Sequence, residues 1–247
     1  MTRAEAYRAC REFQTRFYTT VKRRSELLKV WNGDNALKCA HTLRMIIEDL
    51  AVEMEDEAKH LVNNDNDVCW CEVEHLNSLQ QHALEIVFIE CLYHLETRLA
   101  DLMFVLFLGK DVNFELKTIP REHCLRKRQI PWMDLPRTAL EALIACPEDK
   151  PIRIRYMRLL LGMGACPNQP GSVSPLLLIM STGDKEAFEL ITKHPDIDMF
   201  PQYEHLPYIL ARQTPDKQYF MKYYKTQLNL CVVRHKRSFI FVPVVDE

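Results

Sequence analysis

Cys69-Trp-Cys71, His75, His82, Cys91 and His94 are the residues whose types could hold a metal ion. Zinc takes four nitrogen or sulfur ligands, and thiolates with imidazoles suit it. Cys91 and His94 stand three apart, which puts two side chains on one face of a helix. Closed zinc sites, however, pair cysteines two to four residues apart and answer them with a second pair. One spacer between Cys69 and Cys71 is too few, no second pair follows, and a lone cysteine suits an apolar core equally well. No metal ligand set and no cofactor is therefore assigned. A zinc- or redox-responsive regulator built on the Cys69–His94 cluster stands as the alternative reading.

Catalysis finds less support. A nucleophile needs a base beside it and an orienting carboxylate. His123 and Cys124 are neighbours in sequence only, which is not that geometry. The chain has neither a G-x-S-x-G turn nor an H-E-x-x-H helix, and its six glycines leave little for a phosphate-cradling loop. The sequence argues against an enzyme. Three basic clusters, Lys22-Arg-Arg24, Arg126-Lys-Arg128 and Arg234-His-Lys-Arg237, are short, lack interleaved aromatics and sit in a chain of net charge −2. Solvated surface accounts for them better than nucleic acid does.

The elements that must position any site follow from proline and charge. All thirteen prolines lie at Pro120 or later, so the first 119 residues lack the strongest helix breaker. One helix is expected from Arg3 to Val30, with Phe13, Phe17, Val21, Leu28 and Trp31 near one face. A second is expected from Ala36 to Val62, striped by Leu43, Ile46, Ile47, Leu50, Met54, Ala58 and Leu61. Residues 1–30 carry eight Lys/Arg against three Glu, whereas acidic residues dominate from Glu48 to Glu74. Such blocks are expected to form solvated faces or to attract one another. The apolar run Leu102 to Leu108 has the spacing of core and is far too short to cross a bilayer. Nine scattered cysteines, without a leader-like stretch before them, predict reduced thiols in a cytoplasmic or nuclear protein.

A repeat is visible within the chain. His82-Ala83-Leu84-Glu85 parallels Thr138-Ala139-Leu140-Glu141 at an offset of 56. Phe104-Val-Leu106-Phe-Leu-Gly109-Lys-Asp-Val-Asn113 parallels Leu159-Leu-Leu161-Gly-Met-Gly164-Ala-Cys-Pro-Asn168 at an offset of 55. The next unit opens at Ser174-Pro175-Leu176-Leu177 and turns at Gly183-Asp184, with a returning apolar run from Ala187 to Ile191. Ser174 suits an N-cap, Pro175 the first helical position, and Gly183 a helix end. Leu206-Pro207-Tyr208 echoes Ser174-Pro-Leu at an offset of 32, followed by a Lys- and Tyr-rich segment suited to a solvent-facing cap.

The leucines, Gly164-Ala165 and Asn168, with Ser174-Pro-Leu, resemble the close and the opening of an ankyrin repeat, a turn plus two helices with a period of about 33 residues. The resemblance covers about residues 82–225. It implies an all-α helix-pair array over 69–227, preceded by a helical region at 1–68 that acts as cap or divergent repeat. A short β-like hairpin or extended arm would follow at 228–247. It also implies a protein-binding module that acts as adaptor, inhibitor or substrate receptor through its concave face. Mapped on the repeat, the turns and exposed helix positions contribute Trp132, Met133, Asp134, Arg137, Gln169, Ser172, Leu178, Ser181 and Asp184 as the contact set. Trp, Met and Arg are the types that interfaces favour as anchors. Trp132 packing the long insert onto the array is the competing reading. The partner is another protein, not a membrane, with the N-terminal helices as a second docking surface. Self-association through residues 1–62 is a third reading.

Overall fold

The proline-free half folds as its apolar spacing dictates. In a computed structural model, residues 3–28, 35–63, 74–116, 136–147, 150–168, 174–197, 218–220 and 222 are described. They are mostly helical, with no strand among them. Helices α1 (Arg3–Ser25) and α2 (Ala36–Asn63) match the two expected segments, α1 ending in a 3₁₀ turn at Glu26–Leu28. After the short α3 (Glu74–Asn77) come three helix pairs: α4 (Leu79–Tyr93) with α5 (Thr97–Phe107), α6 (Ala139–Ala145) with α7 (Lys150–Gly162), and α8 (Pro175–Thr182) with α9 (Lys185–Thr192).

The first helices of the pairs form one row, α4 against α6 and α6 against α8. The second helices form another: α7 packs on α9, and α5 meets α7 where Phe104 stacks on Tyr156 at 5.3 Å. Helix α6 is short because Cys146 turns extended ahead of Pro147, and it is walled on both sides. Residues 139–144 are all buried, so no solvent face survives. One apolar core runs from Cys10 in α1 to Phe220, and α2 joins it by packing on α4 and α5. Phe88, at its centre, stacks on Phe107 at 4.6 Å and meets Phe104 edge-on at 5.2 Å. Burying each such ring contributes roughly 1.5–3 kcal/mol. The core reading of the 102–108 run holds for Leu102, Met103, Phe104 and Phe107, while Leu108 faces solvent.

The charge blocks at the amino end attract one another. Arg16 pairs with Glu57, and Arg24 grips Glu53 through two bonds of 3.0 and 2.6 Å. Lys22 pairs with Glu96, and Arg11 reaches Glu90 at 2.5 Å. The 228–247 tail and Leu206-Pro207-Tyr208 lie outside the described residues.

Candidate partner-binding surface

Turn chemistry sets the frame on which a binding surface would stand. Gly109 and Gly164, equivalent by the internal offset, both adopt positive φ (73° and 93°), as does Gly183 at 72°. Here the chain leaves a helix through the left-handed region, which glycine enters without steric cost. The turn between α4 and α5 makes the same move with Leu95 at φ 49°. At three of these turns one amide reaches back five residues: Glu96 to the Cys91 carbonyl (2.9 Å), Ala165 to Leu160 (3.1 Å) and Asp184 to Ile179 (3.3 Å). These are Schellman closures, which satisfy carbonyls that the helix end leaves open.

Two asparagines then tie pair to pair. Asn113 donates from Nδ2 to the Gly164 carbonyl at 3.0 Å and accepts from the Cys166 amide at 2.6 Å. Asn168, its equivalent 55 positions on, donates from Nδ2 to the Asp196 carbonyl at 2.6 Å. Each side chain thus spans from the close of one helix pair to the close of the next.

Leu116 and Arg137, on either side of residues 117–135, meet directly. The Leu116 amide donates to the Arg137 carbonyl at 2.9 Å, and the Arg137 guanidinium lies 3.5 Å from Glu115. Thr138 then caps α6: its hydroxyl accepts from the Glu141 amide at 3.1 Å, and the Glu141 carboxylate accepts from the Arg137 amide at 2.7 Å. This is a capping box shifted one residue outward. Arg137, read from sequence as a contact residue, is largely buried and ties the start of α6 to Glu115 and Leu116.

Two other members of the predicted set are corrected. Leu178 is 2% exposed and Asp184 8% exposed, so neither offers a surface. Leu178 points into the core because α8 is packed on both α6 and α9. Asp184 is the N-cap of α9, accepting from the Glu186 and Ala187 amides at 3.1 Å each. Its other oxygen pairs with buried Arg153, which also donates to the Cys146 carbonyl at 2.9 Å, and Lys150 stands 3.2 Å away. Asp184 therefore locks the start of α9 to α7 and to the end of α6. The pattern Gly-Asp-Lys-Glu-Ala at 183–187 carries the N-cap signal. Arg153, 31 residues away, has no local signature. Trp132, Met133, Asp134, Gln169 and Ser172 lie outside the described residues, and Ser181 is placed only as part of the α8 backbone.

The cysteine–histidine cluster disperses where it is described. Cys91 is fully buried, donates to the Phe88 carbonyl at 3.1 Å, and burial pushes its pKa well above the ordinary thiol value. Cys10 is pushed up to about 11 by the same cause. A protonated, enclosed thiol is a poor nucleophile and a poor ligand. His75 is buried and hydrogen-bonded to Gln14. His94 stacks on Tyr18 at 5.6 Å and sits 3.3 Å from Glu90, while the Tyr18 hydroxyl is pushed above its usual pKa by burial. No group of three such residues could hold a metal ion among the described residues, while Cys69, Cys71, His123 and Cys124 fall outside them. No described helix is long and apolar enough to cross a membrane.

Comparison of the chain with protein-family models, curated proteins and solved structures gave no match.

Proposed function

We propose that residues 69–227 form an ankyrin-type helix-pair array whose role is to recognise another protein, as adaptor, inhibitor or substrate receptor. One observation carries the reading. Asn113 and Asn168 occupy equivalent places in two successive units, and each donates from its side chain to a backbone carbonyl at the close of the next unit. A bundle of unrelated helices has no reason to repeat such a bond; stacked units that bury their faces only against neighbours do.

The recognition surface in this reading is built from the segment between Leu116 and Pro136 together with the segment before α8. Residues 117–135 hold five Lys/Arg against two Asp/Glu, with Trp132 and Met133 a few residues before Arg137 in sequence. That composition combines an electrostatic lure with aromatic and thioether anchors. Trp132, Met133, Asp134, Gln169, Ser172 and Ser181 remain the contact set, while Arg137 ties down the start of α6. On the same reading α1 and α2 cap the array, and 228–247 is the extended or hairpin arm.

The test is affinity capture from cell lysate with mass spectrometry, followed by titration of the purified partner. Wild type is compared with a folded Trp132→Ala/Met133→Ala variant. A stoichiometric protein whose affinity falls at least tenfold in the variant supports the proposal. A partner bound equally by both chains contradicts the assigned surface.

A further inference from the structure

The face of α2 turned away from the core carries three large apolar side chains in the open: Leu37 (77% exposed), Met45 (46%) and Val52 (60%). Their spacings of eight and seven residues bring them to one side of a helix. The opposite side, with Leu43, Ile47, Leu50 and Ala58, is buried against the remaining helices. Charge is ordered along the same outer surface. Lys38, His41 and Arg44 lie in its first half, and Glu48, Asp49, Glu53 and Asp56 follow, before Lys59, paired with Glu55, restores a positive charge near the far end.

From this order we propose that α2 is a self-association helix, its outer stripe packing antiparallel against the same stripe of a second copy about a two-fold axis at Met45. In an antiparallel pair centred there, facing residues have numbers that sum to about 90. Leu37 then lies on Val52, His41 against Glu48 and Asp49, Lys38 beside Glu53, and Met45 on its own equivalent. A parallel pair would instead set like charges side by side. Arg44 holds Glu48 at 2.6 Å within the helix and Arg24 grips Glu53, so Asp49 is the least committed acid facing His41. A wholly acidic or wholly basic partner would repel one half of the stripe. A second copy satisfies both halves at once, as an isologous interface requires. With the axis at Met45, the two copies of α2 overlap from residue 36 to about residue 54, roughly 30 Å of such surface.

The inference does not depend on the proposed recognition role, because it uses only the outer face of α2. It is tested by sedimentation equilibrium of the full chain under reducing conditions, from about 10 µM to about 1 mM. The mass is expected to rise from 29.1 kDa towards twice that value. Met45→Asp and Met45→Lys are each expected to remain monomeric over the range. Mixed in equal amounts they are expected to pair, since residue 45 meets its own equivalent across the axis. Wild type that stays at 29.1 kDa throughout overturns the proposal. So does a Met45→Asp chain that still dimerises, or a mixture no heavier than its components. Circular dichroism melts verify folding, and Val52→Asp, at a more exposed position, replaces Met45→Asp if that chain melts early.

Discussion

The amino-terminal helices and the three helix pairs are joined to their neighbours by different means. Helix α1 is fastened to α2, α4 and the α4–α5 turn by side-chain ion pairs laid over an apolar contact. The pairs from α4 to α9 also carry ion pairs, Arg153 with Asp184 and Arg155 with Asp101, but add to them caps and asparagine side chains bonded to backbone. An exposed ion pair tolerates many geometries and is screened by salt. A side chain spanning two backbone turns tolerates one geometry. Evenly repeated turns therefore belong to the second region, and the first is free to be two long helices.

Substitutions that break this contrast rank by how completely the partner groups are enclosed. Asp184→Ala removes a cap and leaves Arg153 buried without its carboxylate, so about 3–5 kcal/mol of stability should be lost in urea unfolding. Arg11→Ala is the exception within the amino-terminal region, because Glu90 is buried where Glu53 and Glu57 are exposed. It should cost about 2–3 kcal/mol, against ~0.5 kcal/mol or less for Arg16→Gln. Added salt should erase the Arg16 effect and spare the Arg11 one. If both variants respond alike to salt, the distinction between the pairs is wrong.

Smaller effects sharpen the comparison. A Cβ at Gly109 or Gly164 would meet nothing within 4 Å, so Gly→Ala there tests backbone conformation alone. Each should cost about 1 kcal/mol. An effect near zero would mean that the turns do not need positive φ. The smallest change concerns pH. Hydrogen bonding to Arg24 holds the Glu53 carboxyl below its ordinary value of 4.5. A depressed carboxyl pKa stabilises the fold above the unfolded value and loses that contribution as pH falls through the folded one. The melting-temperature gap between wild type and Arg24→Gln should therefore be present above pH 4.5 and close as pH falls below it through the depressed value. A gap that widens on acidification would contradict the pair.

How far the sequence revealed this arrangement depends on the range of the forces. Proline-free, periodic stretches gave the bounds of α1 and α2 within a few residues, because apolar spacing and breakers act locally. The turns at Gly109, Gly164 and Gly183 were legible for the same reason. Asp184 is misread as exposed because its carboxylate turns inward to cap α9 and pair with Arg153, and Leu178 because α8 is packed on both α6 and α9. Periodicity cannot mark an outer face on a helix that barely has one. Arg153 meeting Asp184, Gln14 meeting His75 and the closure of Leu116 on Arg137 each join distant positions, and no local pattern announces them.

The claim of equivalent, side-chain-bridged units is tested most directly by amide hydrogen exchange at Cys166 in wild type and Asn113→Ala. The Cys166 amide donates to the Asn113 side chain, whereas the neighbouring Ala165 amide donates within its own turn to Leu160. The account predicts that Cys166 loses its protection in the variant while Ala165 stays slow. Unchanged protection at Cys166, or loss of both together, would contradict it.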